Sequence, residues 1–376
     1  MSTLCPNPDV CGSCGWSHIP YDKQLQQKIS DINGSFRLKA LDFTCTEILP
    51  SPKTEHYRNR MDFVIDFEGR VGMRQKGKWW KVIDGHHCFL ADTQIENLFV
   101  AIKAWTADSG LTFFDRKAHQ GLLRYAVVRS STLGQTMINI VTSAPTDEIE
   151  EQATRAALVA LSNNCNATTI IWSVNSTITD VSFGDKMETM SGPGFIEESI
   201  GGFTFRITPN AFFQTNPHAA ALLQSTVTEF AGDLTNQTLL DLYCGSGFFG
   251  VSLAAKTNRT IGVELVPEAI ADAKINATLN GVTAEWHDAK TESFNWKDLG
   301  ADTVILDPPR SGMHDKALAD VISAAPATIV YVSCNYKNFA REMVQLQDYY
   351  KVSAMRAVDM FPHTPHVELV TKLERK

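Results

Sequence analysis

Residues 238–250 read TLLDLYCGSGFFG, and this stretch decides the fold of the C-terminal half of the chain. An apolar run of strand length leads directly into three glycines, Gly245, Gly247 and Gly250, and a helical pattern follows. Glycines let the backbone approach a ligand closely, and the first turn of a helix offers free N–H groups. The stretch therefore predicts a strand, a ligand-binding turn and a helix at the start of a nucleotide-binding α/β domain.

The sequence beyond this stretch continues to alternate between strands and helices. Apolar runs of strand length are TIGVEL, ADTVILD and TIVYVSC, and helical patterns such as PEAIADAKINATLNG and DKALADVISAA lie between them. Regular alternation predicts a parallel sheet covered on both faces, with ligands at the carboxyl ends of the strands. We predict a Rossmann-like catalytic domain over residues 201–376.

The N-terminal half has a different pattern. Short strand-like segments, MDFVIDF, YAVVRSS, MINIVTS and TTIIWSVN, are interrupted by two helical stretches, IENLFVAIKAWTA and EIEEQATRAALVALSN. Strands interleaved with a few helices favour an α+β module. The sequence turns small and polar around residues 192–202, so we predict that this module covers residues 1–200. Within it, residues 17–50 are a segment that could pack on the catalytic domain instead.

Composition limits the class of protein. With 376 residues, of which 44% are hydrophobic, the chain can form two domains with a sizeable core. No apolar run approaches the roughly 18 to 20 residues of a membrane span. The N-terminus lacks the charged and apolar regions of a signal peptide, so we expect a cytoplasmic protein without membrane association.

Charge is unevenly distributed along the chain. The net charge of −8 argues weakly against nucleic-acid binding, because phosphate contacts need Lys and Arg. Residues 70–81, RVGMRQKGKWWK, nevertheless hold five basic residues, two tryptophans and no acid. This composition suits phosphate contact with base stacking. A hairpin with solvated lysines and one tryptophan in the core explains it equally well.

Cysteines gather near the N-terminus. Cys5, Cys11 and Cys14 lie in CPNPDVCGSC, and Cys88 in DGHHCFL is the best candidate for a fourth metal ligand. Thiolate ligands suit zinc and an iron–sulfur cluster equally well, and neighbouring histidines keep zinc possible. The spacing alone does not decide between the two metals.

Acidic residues follow the apolar strands of the C-terminal half. Glu264 ends TIGVE and suits hydrogen bonds to ribose hydroxyls, a feature shared by dinucleotide and S-adenosylmethionine sites. Asp288 in HDA and Asp307 in LDPPR favour S-adenosylmethionine. A carboxylate followed by Pro-Pro at this strand end is typical of methyltransferases that act on nucleic acids or amides.

Cys334, in IVYVSCNYKN, follows the last of the apolar strands. A cysteine at a strand end is ordinarily a small buried hydrophobe. Inside a nucleotide-binding domain, a thiolate in this position can instead add covalently to a pyrimidine ring. Glu368 in DMFPHTPHVELV supplies a carboxylate that could act as a general base for the same reaction.

These motifs together resemble the uracil-C5 RNA methyltransferases, which form 5-methyluridine in ribosomal and transfer RNA. The matching pieces are CPNPDVCGSCGWSH, YRNR, LRYAVVR, PNAFFQTN, DLYCGSGFFG, VELVPEAI, LDPPRSG, VSCN and DMFPHTPHVE, in the family's order and over nearly the whole chain. The resemblance implies an S-adenosylmethionine-dependent α/β catalytic domain. It also implies an N-terminal α+β module that binds RNA and carries a cluster site made of four cysteines.

The resemblance also implies roles for single residues. Cys334 would be the nucleophile and Glu368 the base that removes the C5 proton. The donor pocket would comprise Gln214, Tyr243, Gly245, Glu264, Asp288 and Asp307. In that family the equivalents of Cys5, Cys11, Cys14 and Cys88 hold a [4Fe–4S] cluster, which favours the cluster over zinc.

Two departures from the family pattern bear on the substrate. Many members carry an additional N-terminal β-barrel, whereas this sequence begins at the cysteine motif, as in the shorter 23S ribosomal RNA subgroup. In addition, the transfer-RNA members of bacterial type lack the cysteine cluster, so ribosomal RNA is the substrate that the resemblance implies. No obligate protein partner is indicated. Phe248 stands where some members place an asparagine near the donor, so that contact is not carried over.

Three alternatives remain open at this stage. One is the same chemistry on transfer RNA, at a uridine of the position-54 type. Another is an amino-group methyltransferase for adenine or glutamine, which usually has an aromatic residue after Asp-Pro-Pro where this chain has Arg310. A non-catalytic RNA-binding or iron–sulfur protein is disfavoured, because both Cys334 and Glu368 are present.

Overall fold

The structure is a computed structural model that describes residues 5, 7, 10–85 and 87–376. Its helices are α1 (Tyr21–Leu38), α2 (Thr93–Asp108), α3 (Glu148–Asn164), α4 (Pro217–Ala231), α5 (Phe248–Ala254), α6 (Pro267–Leu279), α7 (Asp315–Ala324) and α8 (Tyr336–Leu346). Its strands are β1 (Ile48–Leu49), β2 (Arg60–Ile65), β3 (Val71–Gln75), β4 (Lys78–Asp84), β5 (Leu123–Ser130), β6 (Thr136–Ser143), β7 (Thr169–Asn175), β8 (Lys186–Ser191), β9 (Ile196–Ile200), β10 (Phe203–Ile207), β11 (Thr238–Leu242), β12 (Arg259–Glu264), β13 (Glu285–Asp288), β14 (Thr303–Leu306), β15 (Thr328–Ser333), β16 (Tyr350–Val358) and β17 (Glu368–Arg375). A turn of 3₁₀-helix covers Trp296–Leu299.

The described residues divide into two compact units. The first unit contains the described residues up to His18, Thr54–Ser199 and Arg206–Asn210. The second unit contains Ile19–Lys53, Ile200–Phe205 and Ala211–Lys376. The chain therefore passes from one unit to the other several times.

The sheet of the second unit, within the described part of the chain, has eight strands in the order β1-β16-β17-β15-β14-β11-β12-β13. The strands β11 to β15 pair in parallel, and β17 lies antiparallel between β15 and β16. Because β11 has β12 on one side and β14 on the other, the strand order reverses there. Sheets of this kind bind ligands in the crevice at the carboxyl ends of the strands at such a reversal. The predicted parallel core is confirmed.

Helices protect both faces of this parallel core, which explains its almost unbroken apolar strands. Leu240 and Leu242 of β11 are fully buried, as are Val304 and Leu306 of β14. Helix α1 contributes Ile32 and Phe36 to the same core. The Phe36 ring lies 6.0 Å from that of Phe339 in α8, measured between centroids. Helix α1 is thus held in the second unit by apolar packing.

The sheet of the first unit, again counting described residues, has seven strands in the order β4-β3-β2-β5-β6-β7-β8. Its neighbouring strands are antiparallel except β6 and β7, which are parallel and are connected through α3. Helices α2 and α3 pack beside the sheet. The Phe63 and Phe99 rings stack 4.3 Å apart, and Trp105 Nε1 donates to the Ala157 carbonyl at 2.8 Å. The predicted strands and helices of this half are observed.

The basic stretch at residues 70–81 forms the β3–β4 hairpin. Trp79 is 57% exposed and Trp80 is 50% exposed. Of the alternative that we left open, a hairpin with one tryptophan in the core, the hairpin is observed and the buried tryptophan is not. Strand β4 lies at the edge of its sheet, which leaves both rings partly exposed.

No helix within the described ranges combines the length and apolar character needed to cross a membrane.

Candidate active site

The turn after β11 adopts a strained backbone at the point where the strand order reverses. Tyr243, Gly245 and Gly247 have φ of 64°, 53° and 84°, all in the left-handed region. Glycine accepts this conformation readily, whereas a non-glycine residue is held there only by its surroundings, at a cost of order 1–3 kcal/mol. Strain of this kind clusters at functional sites, so Tyr243 is a candidate to face a ligand.

Glu264 ties the end of β12 to this turn. Its Oε2 accepts a hydrogen bond from the Gly245 amide at 3.1 Å, and its Oε1 accepts one from the Val266 amide at 2.9 Å. The carboxylate is thus fixed at the carboxyl end of the sheet. Each oxygen keeps a further lone pair, which could accept a hydroxyl of a bound ribose.

The glycines after β11 serve two different purposes. A Cβ added at Gly247 or Gly250 would lie 2.9 or 3.0 Å from the ring of Trp286, and one at Gly262 would lie 2.3 Å from it. These three glycines therefore make room for an indole. An added Cβ at Gly245 would have no neighbour within 4 Å among the described residues. Gly245 is the position where the backbone faces open space, as a ligand-binding turn requires.

Two neighbouring carboxylates, Asp307 and Glu264, act on Asp241 beneath the turn. Asp241 is fully buried in β11, and its Oδ2 accepts from the Gly250 amide at 2.8 Å. Its Oδ1 has no hydrogen-bond partner among the described residues. Burial, with repulsion from Asp307 and Glu264, raises the pKa of Asp241 to about 8. Burial also raises the pKa of Asp307, just after β14, to about 7.

Asp241 was missed by sequence reasoning, although an acid inside the apolar run TLLDL was a visible signal. Its interaction with Asp307 and Glu264 makes the crevice a place where negative charge is concentrated and poorly solvated. Such a place would favour a cationic ligand, because a positive charge relieves the repulsion between the carboxylates.

The other two predicted donor contacts are Asp288, which lies opposite Glu264 in the β12–β13 pair, and Gln214. Asp288 ends β13 with an exposed side chain. Gln214 is half-buried in the segment before α4. That segment is anchored by Asn216, whose Oδ1 accepts from the Ala219 amide at 3.1 Å and whose Nδ2 donates to the Met360 carbonyl at 3.0 Å. The structure thus fixes the backbone close to Gln214.

The pairing of β15 with β17 brings Cys334 and Glu368 close together. Ser333 lies opposite Leu369 in these antiparallel strands. Strand β15 ends at Ser333, and the same register continued by one residue brings Cys334 beside Glu368. The charge of Glu368 also acts on the Cys334 thiol, which agrees with this placement. The two predicted catalytic residues are therefore neighbours, although they are far apart in the sequence.

The electrostatics around Cys334 favour the neutral thiol. Burial, followed by the negative charges of Glu368 and Asp307, raises the pKa of Cys334 to about 12, whereas Arg310 acts in the opposite direction. Burial and then Asp307 hold the pKa of Glu368 well above its ordinary value. The thiol, the two carboxyl groups and Arg310 therefore form one interacting group. Cys334 also precedes the N-terminus of α8, whose dipole favours a thiolate.

Hydrogen bonds connect the loop that carries Arg310 to the residues after Cys334. The Arg310 carbonyl accepts from Asn335 Nδ2 at 3.1 Å and from Asn338 Nδ2 at 2.7 Å. Arg310 Nη2 lies 3.3 Å from His366 Nδ1. From the buried side, Glu342 Oε1 accepts from the Met313 amide at 3.0 Å. These contacts keep the loop after β14 close to the thiol.

A buried ion pair supports the segment that leads to Glu368. Lys28 Nζ of α1 lies 2.5 Å from Asp359 Oδ1, and both side chains are fully buried. Lys28 also donates to the Phe361 carbonyl at 3.1 Å, and Tyr21 donates to Asp359 Oδ2 at 2.9 Å. The His363 amide donates to Gln24 Oε1 at 2.7 Å. Sequence reasoning did not identify this network, since its partners lie at opposite ends of the chain.

The four predicted metal ligands all lie in the first unit. Cys5, Cys11, Cys14 and Cys88 are buried, and none forms a disulfide. Burial and then the neighbouring thiols Cys5, Cys88 and Cys11 raise the pKa of Cys14 to about 12. The four thiols are thus within electrostatic range of one another, and their chemistry suits iron or zinc. Within the described residues, however, no group of His, Cys, Asp or Glu side chains is arranged to hold a metal ion.

Comparison with known proteins identifies the class. A family profile described as tRNA (uracil-5-)-methyltransferase matches residues 20–376. The chain belongs to this family and is an RNA uracil-C5 methyltransferase. The family that the sequence motifs predicted is confirmed.

Individual relatives give the same result. An uncharacterised RNA methyltransferase of Caldanaerobacter subterraneus is 37% identical over 386 residues, which cover 100% of this chain and 85% of the relative. The tRNA (uracil(54)-C(5))-methyltransferase of Pyrococcus horikoshii is 36% identical over 364 residues, which cover 96% of this chain and 83% of the relative.

A solved structure matches the fold. The crystal structure of Pyrococcus abyssi tRNA (uracil-54, C5)-methyltransferase in complex with S-adenosyl-L-homocysteine matches with a TM-score of 0.81 at 34% identity, covering 96% of this chain and 86% of that one. The fold is that of an S-adenosylmethionine-dependent methyltransferase, and S-adenosylmethionine is the cofactor that this likeness supports. The comparisons do not confirm the expected ribosomal RNA substrate.

Proposed function

We propose that the chain transfers a methyl group from S-adenosylmethionine to C5 of a uridine in transfer RNA, through a covalent bond between Cys334 and C6 of the uracil. The observation that carries this proposal is the register of β15 and β17, which makes Cys334 and Glu368 neighbours beside the acidic crevice. Transfer RNA is favoured over ribosomal RNA because the Pyrococcus relatives are named for uridine 54 of transfer RNA.

The need for both residues follows from the chemistry of uracil. C5 is a weak nucleophile in the intact ring. Cys334 Sγ, as a thiolate, adds to C6, and the electron pair of the C5–C6 bond becomes available at C5. S-adenosylmethionine supplies the methyl group as a sulfonium electrophile. Glu368 then accepts the proton from C5, the C5–C6 double bond re-forms, and the C6–S bond breaks to release Cys334.

The raised pKa of Glu368 suits the last of these steps, whereas the raised pKa of Cys334 opposes the first. Glu368 has a pKa above its ordinary value, and a base of this kind can accept a proton near neutral pH. Arg310 stabilises the thiolate form of Cys334, against the effect of burial. The target uridine must lie outside a base-paired stack, because C6 cannot be reached within a helix.

The donor pocket is assigned to the crevice at the end of β11, β12 and β14. Its proposed contacts are Gln214, Tyr243, Gly245, Glu264, Asp288 and Asp307. Gly245 offers open space, and Glu264 offers acceptor lone pairs. The carboxylates Asp241 and Asp307 supply a negative environment for the sulfonium and ammonium groups of the donor.

We also propose that Cys5, Cys11, Cys14 and Cys88 bind a [4Fe–4S] cluster in an RNA-binding N-terminal module. Four buried thiols that influence one another support this assignment. Purification without oxygen should give a brown protein with about four irons per chain, as expected of a cluster held by four thiolates. Changing Cys88 to Ser should lower the iron content, whereas changing Cys165 to Ser, a half-buried thiol outside the set, should not. Stoichiometric zinc without iron would contradict the cluster.

The proposed reaction is tested with purified enzyme, labelled S-adenosylmethionine and two substrates, unmodified transfer RNA and 23S ribosomal RNA. We expect 5-methyluridine in digested transfer RNA, at one position. Label in 23S RNA alone would overturn the choice of transfer RNA and leave the reaction class intact. Absence of 5-methyluridine from both RNAs would contradict the proposed function itself.

A further inference from the structure

A groove with a volume of about 580 Å³ opens on the first unit. Its lining residues include Val64 of β2, Met73 of β3, Trp79 of β4 and Tyr125 of β5. Gly12 and Ser13 line it from the segment that carries Cys11 and Cys14. All of these residues lie in one unit, so the groove is complete within it.

Backbone hydrogen bonds fix the segment of residues 10–13 against the β3–β4 hairpin. The Gly12 amide donates to the Arg74 carbonyl at 3.2 Å, and the Lys76 amide donates to the Val10 carbonyl at 2.7 Å. Cys11 pairs with Gln75 as an isolated antiparallel bridge. The segment therefore extends the pairing of the hairpin, and the groove is formed before any ligand arrives.

Two of the charged side chains that line the groove, Asp62 and Arg74, are already paired with other side chains. Arg74 Nη2 donates to Asp180 Oδ2 at 2.6 Å and to the Tyr125 hydroxyl at 2.8 Å. Arg116 Nε donates to Asp180 Oδ1 at 2.8 Å. These pairs leave the apolar surface of Val64, Met73 and the Trp79 ring as the part of the groove suited to a flat, uncharged group.

The rim of the groove carries positive charge. Lys76 lies at the groove, and Lys78 and Lys81 follow on β4; all three are exposed. The ion pairs found among the described residues include no carboxylate partner for any of the three. An aromatic ring beside a row of cationic side chains is the arrangement that binds single-stranded nucleic acid, with a base on the ring and phosphates on the cations.

We propose that this groove binds one unpaired nucleotide of the RNA substrate, with its base stacked on Trp79 and a flanking phosphate at Lys76. This inference rests on the proposed function, which makes RNA the substrate. It adds a recognition site in the first unit that is separate from Cys334 and Glu368, both of which belong to the second unit.

Trp79 and Trp80 provide a matched pair of variants. Both are about half exposed, but Trp79 lines the groove and Trp80 is not among its lining residues. Binding of labelled transfer RNA is measured by fluorescence anisotropy at one fixed salt concentration. We expect Trp79→Ala to raise the Kd about 5-fold to 150-fold, the range for loss of one base–aromatic stack. Trp80→Ala should change the Kd by less than about twofold, because it removes no base–aromatic stack.

Lys76 tests the phosphate contact separately. For Lys76→Gln, the slope of log Kd against log salt concentration should fall by about 0.7, the value for one lost phosphate contact to a single strand. A slope equal to that of the wild type would contradict the phosphate contact.

A cross-linking measurement uses the unaltered enzyme and does not depend on the folding of a variant. Irradiation with RNA that contains 4-thiouridine should attach RNA to the peptide that contains Trp79. Equal Kd values for Trp79→Ala and Trp80→Ala, or cross-links confined to other peptides, would overturn the groove as a nucleotide site.

The two proposals can fail independently. If the groove assignment is wrong, the wild type still forms 5-methyluridine while both tryptophan variants bind RNA equally. If the proposed function is wrong, the wild type forms no 5-methyluridine, whatever the tryptophan variants do to binding.

Discussion

At the scale of single residues, the site is dominated by acids that are hard to ionise and a thiol that is hard to deprotonate. Asp307 and Glu368 both raise the pKa of Cys334, and Arg310 lowers it. In the absence of substrate, Cys334, the proposed nucleophile, is therefore held as the neutral thiol. This protects the thiol from unwanted reaction, since the thiolate is the reactive form.

Alkylation measures this protection directly. We expect iodoacetamide to modify Cys334 slowly at pH 7, at a rate that continues to rise above pH 9, because the pKa of the thiol is raised to about 12. Arg310→Gln should slow the reaction severalfold at each pH, since it removes the charge that favours the thiolate. The modified peptide is quantified by mass spectrometry, with Cys334→Ala as the blank. A half-maximal rate near pH 8.5, with a plateau about one to two pH units higher, would show that the thiol has the pKa of an ordinary cysteine.

Donor binding should depend on pH with a definite sign. Asp241 and Asp307 have pKa values raised to about 8 and about 7, so both carry protons below neutral pH. A bound cation stabilises their ionised forms, so binding releases protons and affinity rises with pH up to about 8. Calorimetry should show a tighter Kd for S-adenosylmethionine at pH 8.5 than at pH 6.

S-adenosylhomocysteine is the control for this effect, because it lacks the sulfonium charge. Its affinity should change less over the same pH range. Asp241→Asn should flatten the profile for the donor, since the amide can still accept from Gly250 but does not titrate. Equal profiles for both ligands would show that the carboxylates do not respond to the sulfonium.

At the scale of elements, the pattern of apolar residues predicted strands correctly wherever a segment is buried on defined faces. The apolar runs that became β11, β12, β14 and β15 were readable because helices protect both faces of a parallel sheet. The β16–β17 pair was not predicted, although its register is what makes Cys334 and Glu368 neighbours. Register depends on pairing between distant segments, and a single sequence contains no direct signal for it.

Two further contacts could not be predicted because they join segments that are distant in the sequence. The glycines after β11 read as ligand-binding positions, but Gly247 and Gly250 accommodate Trp286, which comes from a later strand. The network of Lys28 and Asp359 joins α1 to the segment before β17. Neither contact could be inferred from neighbouring sequence, because each joins segments that meet only in the folded chain.

The Lys28–Asp359 pair leads to a prediction about stability. Lys28→Met leaves Asp359 charged and buried without its partner, which is expected to cost about 3–5 kcal/mol in the free energy of unfolding. Lys23→Met is the control on the same helix, since Lys23 is exposed and should change stability by less than about 0.5 kcal/mol. Urea unfolding measures both. The double change Lys28→Met with Asp359→Leu should recover part of the loss; equal stability of Lys28→Met and Lys23→Met would contradict the importance of the pair.

At the scale of the whole molecule, family membership and fold were predictable, whereas the RNA substrate was not. The motifs FFQTN, DPPR, SCN and FPHTPHVE were sufficient for the family, which the profile over residues 20–376 confirms. The choice of ribosomal over transfer RNA depended on features of the N-terminal region and stays unconfirmed. Substrate choice depends on surface shape and charge, such as the exposed Trp79 and its neighbouring lysines, which motifs of the catalytic centre do not encode.

The proposed transient bond from Cys334 to C6 of uracil is tested most directly with transfer RNA that contains 5-fluorouridine. Fluorine at C5 cannot be removed by Glu368 as a proton is, so the methylated adduct cannot break down. We expect incubation with S-adenosylmethionine to give a protein–RNA conjugate that survives denaturing electrophoresis, with the RNA attached to the peptide of Cys334, and no conjugate with Cys334→Ala. A wild-type enzyme that methylates normal RNA but forms no conjugate, or a conjugate that persists in Cys334→Ala, would contradict covalent catalysis by this residue.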